Sequence, residues 1–177
     1  SVDHILNGRT LTVAADVANV DEKPLPFGIG FHSAFLWPLP GAGRLHHTIA
    51  LDNGAEPTLV RIENGLLRPH KLASPFHQGH LVLDPAFFEE DAMIFPEGAG
   101  DGLTYSAEGG PSLKFRFENL PNLALWTKPG APFLCIEPWH GTAPQVGAGD
   151  DISARPYSLS LAPGGRARFA FSVEVPA

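Results

Sequence analysis

Glycine and proline break this chain at short intervals, with 19 Gly and 18 Pro among 177 residues, about a fifth of all positions against roughly an eighth in average usage. Proline removes a backbone donor and fixes φ, and glycine loses the most freedom on folding, so a chain punctuated this often holds no long helix. No segment of eleven residues carries apolar side chains at i, i+3, i+4 and i+7, and only Pro85 to Asp91 could form a helical turn. What survives between the breaks alternates. Ala167, Phe169, Phe171, Val173 and Val175 fall on one parity, with Arg166, Arg168, Ser172 and Glu174 on the other. The same holds for Leu11, Val13, Ala15 and Val17 opposite Thr10, Thr12 and Asp16, and for Leu113, Phe115 and Phe117 opposite Ser112, Lys114, Arg116 and Glu118. Shorter apolar runs lie between, from Phe27 to Trp37, Thr48 to Leu51, Thr58 to Ile62, His80 to Leu83, Ala92 to Phe95, Leu103 to Ser106, Leu123 to Thr127 and Phe133 to Ile136, each bounded by turn-forming residues. The expectation is an all-β fold of about a dozen short strands, an antiparallel sandwich in a single domain over residues 1–177. No fixed-period repeat favours a propeller.

With 44% hydrophobic and 18% charged residues, the composition is that of a globular chain, and the Gly and Pro belong to turns. A chain of this length buries roughly two thirds of its unfolded surface, so no disulfide or metal staple is required. The single Cys135 excludes an intrachain disulfide and a Cys-based zinc site, which fits a reducing compartment; a cytoplasmic location is expected. No run of 18 apolar residues and no secretory n- and h-region occur, so no membrane span is expected. A formal charge of −7 without a basic cluster argues against a nucleic-acid partner. The chain opens on Ser1 and enters strand-like sequence within about ten residues, as expected of a segment that begins inside something longer.

Two segments carry candidate chemistry. In Pro26-Phe27-Gly28-Ile29-Gly30-Phe31-His32-Ser33-Ala34-Phe35 an extended backbone puts His32 on the face of Gly28, Gly30 and Ala34, with Ile29, Phe31 and Phe35 on the other. Glycines inside a strand mark close approach of a ligand or of another backbone, and histidine exchanges protons near neutral pH. A ligand-facing His32 and a histidine hydrogen-bonded beside a bulge are both compatible with this spacing. In Phe133-Leu134-Cys135-Ile136-Glu137-Pro138-Trp139-His140-Gly141, Glu137 shares a parity with Phe133 and Cys135, and the strand is expected to end at Pro138. Apolar neighbours raise a carboxylate's pKa toward the range useful for proton transfer. Trp139, Trp126 and Trp37 offer flat surfaces that stack on the C–H face of a sugar ring. A structural ion pair for Glu137 and core packing for the tryptophans are the alternatives.

These segments, from Asn19 through Pro24 to Phe35, from Phe88 to Ile94 with Asp91, and from Trp126 through Phe133 to Gly141, together resemble the aldose 1-epimerase (galactose mutarotase-like) family. The likeness extends to the closing Leu161-Ala162-Pro163-Gly164-Gly165 turn and the final strand. It implies a large antiparallel β-sandwich that interconverts the α and β anomers of an aldose, a hexose such as galactose, without metal or organic cofactor. It implies Glu137 as the base at the C1 hydroxyl, His32 as the acid at the ring oxygen, and Asp91 as a carboxylate that binds sugar hydroxyls; a turn or cap is the alternative role for Asp91. The chemistry wants one base and one acid, because ring opening removes a proton at O1 while one is delivered to O5.

Members of this family are longer, and the part that precedes the first strand here supplies an arginine and a further histidine to their pocket. Arg9, Arg44, Arg61 and Arg68 lie in no segment that resembles that part. The chain is therefore expected to correspond to the C-terminal three fifths of the fold, with a missing N-terminal segment or a second chain completing the sandwich. Among other chemistries, His46-His47, His70, His77 and His80 lack the compact spacing with a carboxylate that a metal-binding barrel uses, and are expected on loops, some near the pocket mouth. No Gly-x-Ser-x-Gly occurs. The remaining competitors are a non-catalytic carbohydrate-binding module on the same sandwich, which has no need of a matched acid and base, and a β-sandwich interaction domain that uses its open edge strands.

Overall fold

The computed structural model describes residues 1–43 and 46–175, so Arg44 lies outside the described residues. Among them the chain forms sixteen strands: β1 (Val2–Asn7), β2 (Thr10–Ala18), β3 (Leu25–Phe27), β4 (Ile29–Gly30), β5 (Ser33–Leu36), β6 (His47–Leu51), β7 (Ile62–Glu63), β8 (Leu66–Leu67), β9 (His80–Val82), β10 (Met93–Phe95), β11 (Gly102–Ala107), β12 (Ser112–Glu118), β13 (Asn122–Trp126), β14 (Phe133–His140), β15 (Leu159–Leu161) and β16 (Arg166–Glu174). Two single 3-10 turns, Pro85–Phe88 and Ile152–Ala154, are the described helical elements. The first falls inside the Pro85 to Asp91 stretch, and the Asp84 carboxylate caps it by accepting from the Ala86 N–H. No described helix is long and apolar enough to cross a membrane.

A seven-stranded antiparallel sheet runs in the order β1-β2-β16-β12-β11-β6-β9. The three long alternating runs, far apart in sequence, become the neighbours β2, β16 and β12. Phe171 stands opposite both Val13 and Phe117, and Phe169 opposite Ala15, so cross-strand pairing of the apolar parity builds one face of the core. A five-stranded sheet, β10-β13-β14-β4 with β5 also on β14, packs against that face. Met93, Phe95, Leu123, Leu125, Leu134 and Ile136 from this sheet meet Ile49, Leu103, Tyr105, Phe115, Phe169 and Phe171 from the larger one. Phe31 and Phe35 join them edge-on to Phe171 and Phe115, with ring centroids 5.0 and 4.9 Å apart.

The opposite face of the small sheet is covered as well. Val60, Leu67, Ala92, Ile94 and Ala124 form a second buried cluster, with Ile62, Trp126, Trp139 and Ala143 at its margin. Both faces of β14 are thus occupied, which explains why Leu134, Cys135, Ile136 and Glu137 are all buried.

Several boundaries differ from the sequence reading. β14 does not end at Pro138 but continues to His140. The Pro138 carbonyl still accepts from the Phe31 N–H at 3.1 Å, and the missing proline donor interrupts the ladder only on that side, between β4 and β5. Val175 lies past the end of β16 and is 51% exposed. Leu59 and Val60 make single bridges to Leu72 and Ile94 instead of a strand. β1, whose residues are all exposed, and the short β3 and β15, which pair with each other, are further strands.

Candidate active site

The central feature grows from the register of β14. Its partners Trp139↔Gly30, His140↔Ile29, Ile136↔Ser33 and Cys135↔Ala34 keep one continuous antiparallel register across the Pro138 interruption, which puts His32 directly opposite Glu137. Residues so placed share a face. His32 Nδ1 lies 3.4 Å from Glu137 Oε1. The two differ sharply in exposure: the His32 side chain is 65% exposed, the Glu137 side chain 3%.

Glu137 is buried among Cys135, Ala124 and Trp139, and burial pushes its pKa up to about 7, with a side-chain hydrogen bond from Trp139 pulling the other way. The Cys135 thiol, one strand step away on the same face, is pushed up to about 11 by burial and then by the Glu137 charge. It is protonated near neutral pH and not poised as a nucleophile. His32, Cys135 and Glu137 bring possible ligand atoms within 4.8 Å of one another. Spacing in sequence did not suggest that trio.

A cleft of about 430 Å³ opens over this pair, lined by Gly28 to His32, Glu137, Trp139, Gly141 to Ala143, Ile152, Arg155, Pro156 and Ser158. Its size matches small-molecule sites. Two glycines make it. A Cβ on Gly30 would collide with the Trp139 indole, whose Cγ would lie only 2.9 Å away, so the ring lies over the bare backbone of β4. Gly141 has φ of 126°, and a Cβ there would lie 3.1 Å from Gly28 Cα, so the chain turns away from β14 where only glycine fits. The Gly141 N–H donates to the buried Asn122 side chain at 2.8 Å, and Asn122 Nδ2 donates to the Pro96 carbonyl at 2.6 Å, which fixes that turn to the sheet.

Of the residues singled out from the sequence, His32, Glu137 and Trp139 line the cleft. Trp126 stands edge-on to His32 at 5.9 Å between centroids and 83° between planes, and is not itself a lining residue. Asp91 is exposed, in the turn before β10, with φ of 67°. Its Oδ1 accepts from the Ala92 N–H at 2.8 Å and its carbonyl accepts from Arg61 Nη1 at 2.9 Å; it is not among the cleft-lining residues. Trp37 packs edge-on to Phe88 beside the core. Of the histidines expected on loops, His47 and His80 instead begin β6 and β9, and none of His46, His47, His70, His77 and His80 lines the cleft, contrary to the expectation that some stand at its mouth. His47 is buried and its Nε2 accepts from the Leu39 N–H, while His77 and His80 bond to each other's backbone in a tight turn. The sequence reading missed Thr142, Arg155 and Ser158, which come from irregular chain after β14; the only local signal there is Asp151, which caps the 3-10 turn that carries Arg155 at its end.

No family model matches this sequence. Protein LacX of Lactococcus lactis subsp. lactis, in its chromosomal form, is 29% identical over 170 residues, covering 92% of this chain and 56% of that protein. The chain thus spans a little over half the length of the curated relative it matches. A galactose mutarotase related enzyme from Lactobacillus acidophilus superposes with a TM-score of 0.89 at 20% identity, covering 99% of this chain and 60% of that one. A galactose mutarotase-like protein from Lactobacillus casei gives 0.86 at 22% identity, covering 99% and 62%. The fold is the galactose mutarotase-like β-sandwich, as the sequence resemblance implied.

Proposed function

We propose that this chain carries the acid–base pair of an aldose 1-epimerase, with Glu137 as base and His32 as acid. The observation that carries the reading is the 3.4 Å separation of the two side chains in one cleft. Anomer exchange acts on two oxygens bonded to the same carbon, so its acid and base must stand close together. Glu137 takes the proton from the anomeric hydroxyl as the O1–C1 bond becomes a carbonyl. The C1–O5 bond breaks, and its electrons take a proton from His32 at O5. Rotation about C1–C2 turns the other carbonyl face toward O5, and the ring closes with the two groups reversing roles.

Burial suits Glu137 to this. A carboxyl with its pKa near 7 is a stronger base than an exposed one and still deprotonates at neutral pH. Trp139, whose indole lies over Gly30, supplies an apolar surface for the ring, and Trp126 steadies the His32 imidazole from its edge. The sugar-binding role that the resemblance implies for Asp91 has no support in the cleft lining, and its turn-closing Oδ1 favours the turn role. The fold-level likeness to mutarotase-like proteins supports the reading, and a hexose is the substrate class it points to.

The test is proton-exchange NMR or polarimetry on freshly dissolved α-glucose and α-galactose. Acceleration over buffer is expected, with Glu137→Gln lowering it by about 10³-fold and His32→Asn by about 10²-fold. Saturable sugar binding without acceleration would instead identify a carbohydrate-binding module.

A further inference from the structure

The cleft has a second polar end that ring opening does not use. The 3-10 turn Ile152–Ala154 packs beside β3, which places the following Arg155 near the Gly28 side of the cleft. His32 lies four residues beyond Gly28, roughly 13 Å along extended chain. Arg61, Arg68, Arg116 and Arg168 hold carbonyl or carboxylate partners. Half-buried Arg155 lines the cleft with neither among the described residues, and its Nε is buried without a hydrogen-bond partner. The Thr142 hydroxyl, on the same lining, is buried and unpartnered too. Buried donors left unpaired are costly and uncommon, and each one calls for an explanation. A guanidinium is a planar fork of donors that matches an oxyanion. The chain's net charge of −7 makes a cation without an ion-pair partner, in a cleft whose one acid is Glu137, a local reversal of the general field.

We propose that Arg155, with Thr142 on the same lining, binds an anionic substituent, phosphate or carboxylate, on the end of the aldose remote from C1. The proposal rests on the epimerase reading for the orientation of the sugar. The rise in the Glu137 pKa comes from burial, with the Trp139 hydrogen bond opposing it, and not from Arg155.

The experiment compares glucose, glucose 6-phosphate and glucuronate, and the matching galactose series, by exchange NMR, with calorimetric titration of the same sugars. For at least one anionic series, kcat/KM at least tenfold above the neutral parent is expected; which arm responds separates phosphate from carboxylate. Arg155→Met should lower that anionic-to-neutral ratio at least tenfold, and Arg155→Lys, which keeps the charge but loses the fork, should lower it less. Calorimetry should show weaker binding of the favoured anionic sugar to the Met variant. Neutral sugars used as well as both anions, or a ratio unchanged in Arg155→Met, overturns the proposal. Anionic sugars that bind through Arg155 without any anomer exchange would sink the epimerase reading and leave the anion subsite standing.

Discussion

The two faces of β14 carry side chains from alternate positions of one short segment and do opposite work. Leu134 and Ile136 point into the sandwich core among Met93, Leu125 and Phe115, where nothing polar is needed. Cys135, Glu137 and Trp139 point the other way, onto a face that is apolar but opens into a cleft. The comparison teaches that one strand can hold a buried carboxylate in place because its other face is locked in close-packed hydrophobic core. The inner face contributes stability, and the outer face gives some of it back to keep a carboxylate in an apolar setting.

Substitutions on each face sharpen this contrast. Leu134→Ala, which empties a fully buried inner position, should cost about 2–5 kcal/mol of unfolding free energy, read by urea denaturation. A cost below about 1 kcal/mol would break the comparison. On the outer face the sign reverses with pH. Because the folded-state pKa of Glu137 is raised from 4.5 to about 7, the native chain binds the proton more tightly than the unfolded one. Glu137's contribution is therefore fully present below pH 4.5 and lost as pH rises through about 7. Glu137→Gln should accordingly be more stable than the parent at pH 8, by about 3 kcal/mol at most, with the gap closing toward pH 4.5. Melting curves at the two pH values check it, and a variant less stable than the parent at pH 8 would show Glu137 to be a stabilising structural ion pair. On the epimerase reading the same proton should make anomer exchange rise with pH through about 7, as a pH–rate profile would show. The smallest effect is expected at Gly30→Ala: the new methyl meets the Trp139 ring, so the indole must shift. Sugar affinity should fall about tenfold with little change in the melting temperature, and unchanged affinity would remove Trp139 from the binding surface.

Much of this site was legible before folding. The parity of His32 with Gly28, Gly30 and Ala34, and of Glu137 with Cys135, follows from the two-residue period of a strand, and each pair of faces is where that period puts it. The end of β14 was misread because proline was taken to stop a strand, whereas Pro138 loses only one donor toward Phe31 and keeps its carbonyl bonded. Arg155 and Thr142 were invisible for another reason. They sit in irregular chain, where no period links a residue's position to a direction.

The sequence by itself determined the class of fold, through Gly and Pro that forbid long helices and through alternation that demands half-buried strands. It also determined which side chains of each strand travel together. Only the tertiary structure decided that residue 32 faces residue 137. That pairing depends on the register between strands a hundred residues apart, which is set by the shared core of two sheets and not by any local preference. The depth of Glu137, and with it the raised pKa, is likewise a property of packing: an acid's environment comes from neighbours that only the fold assembles.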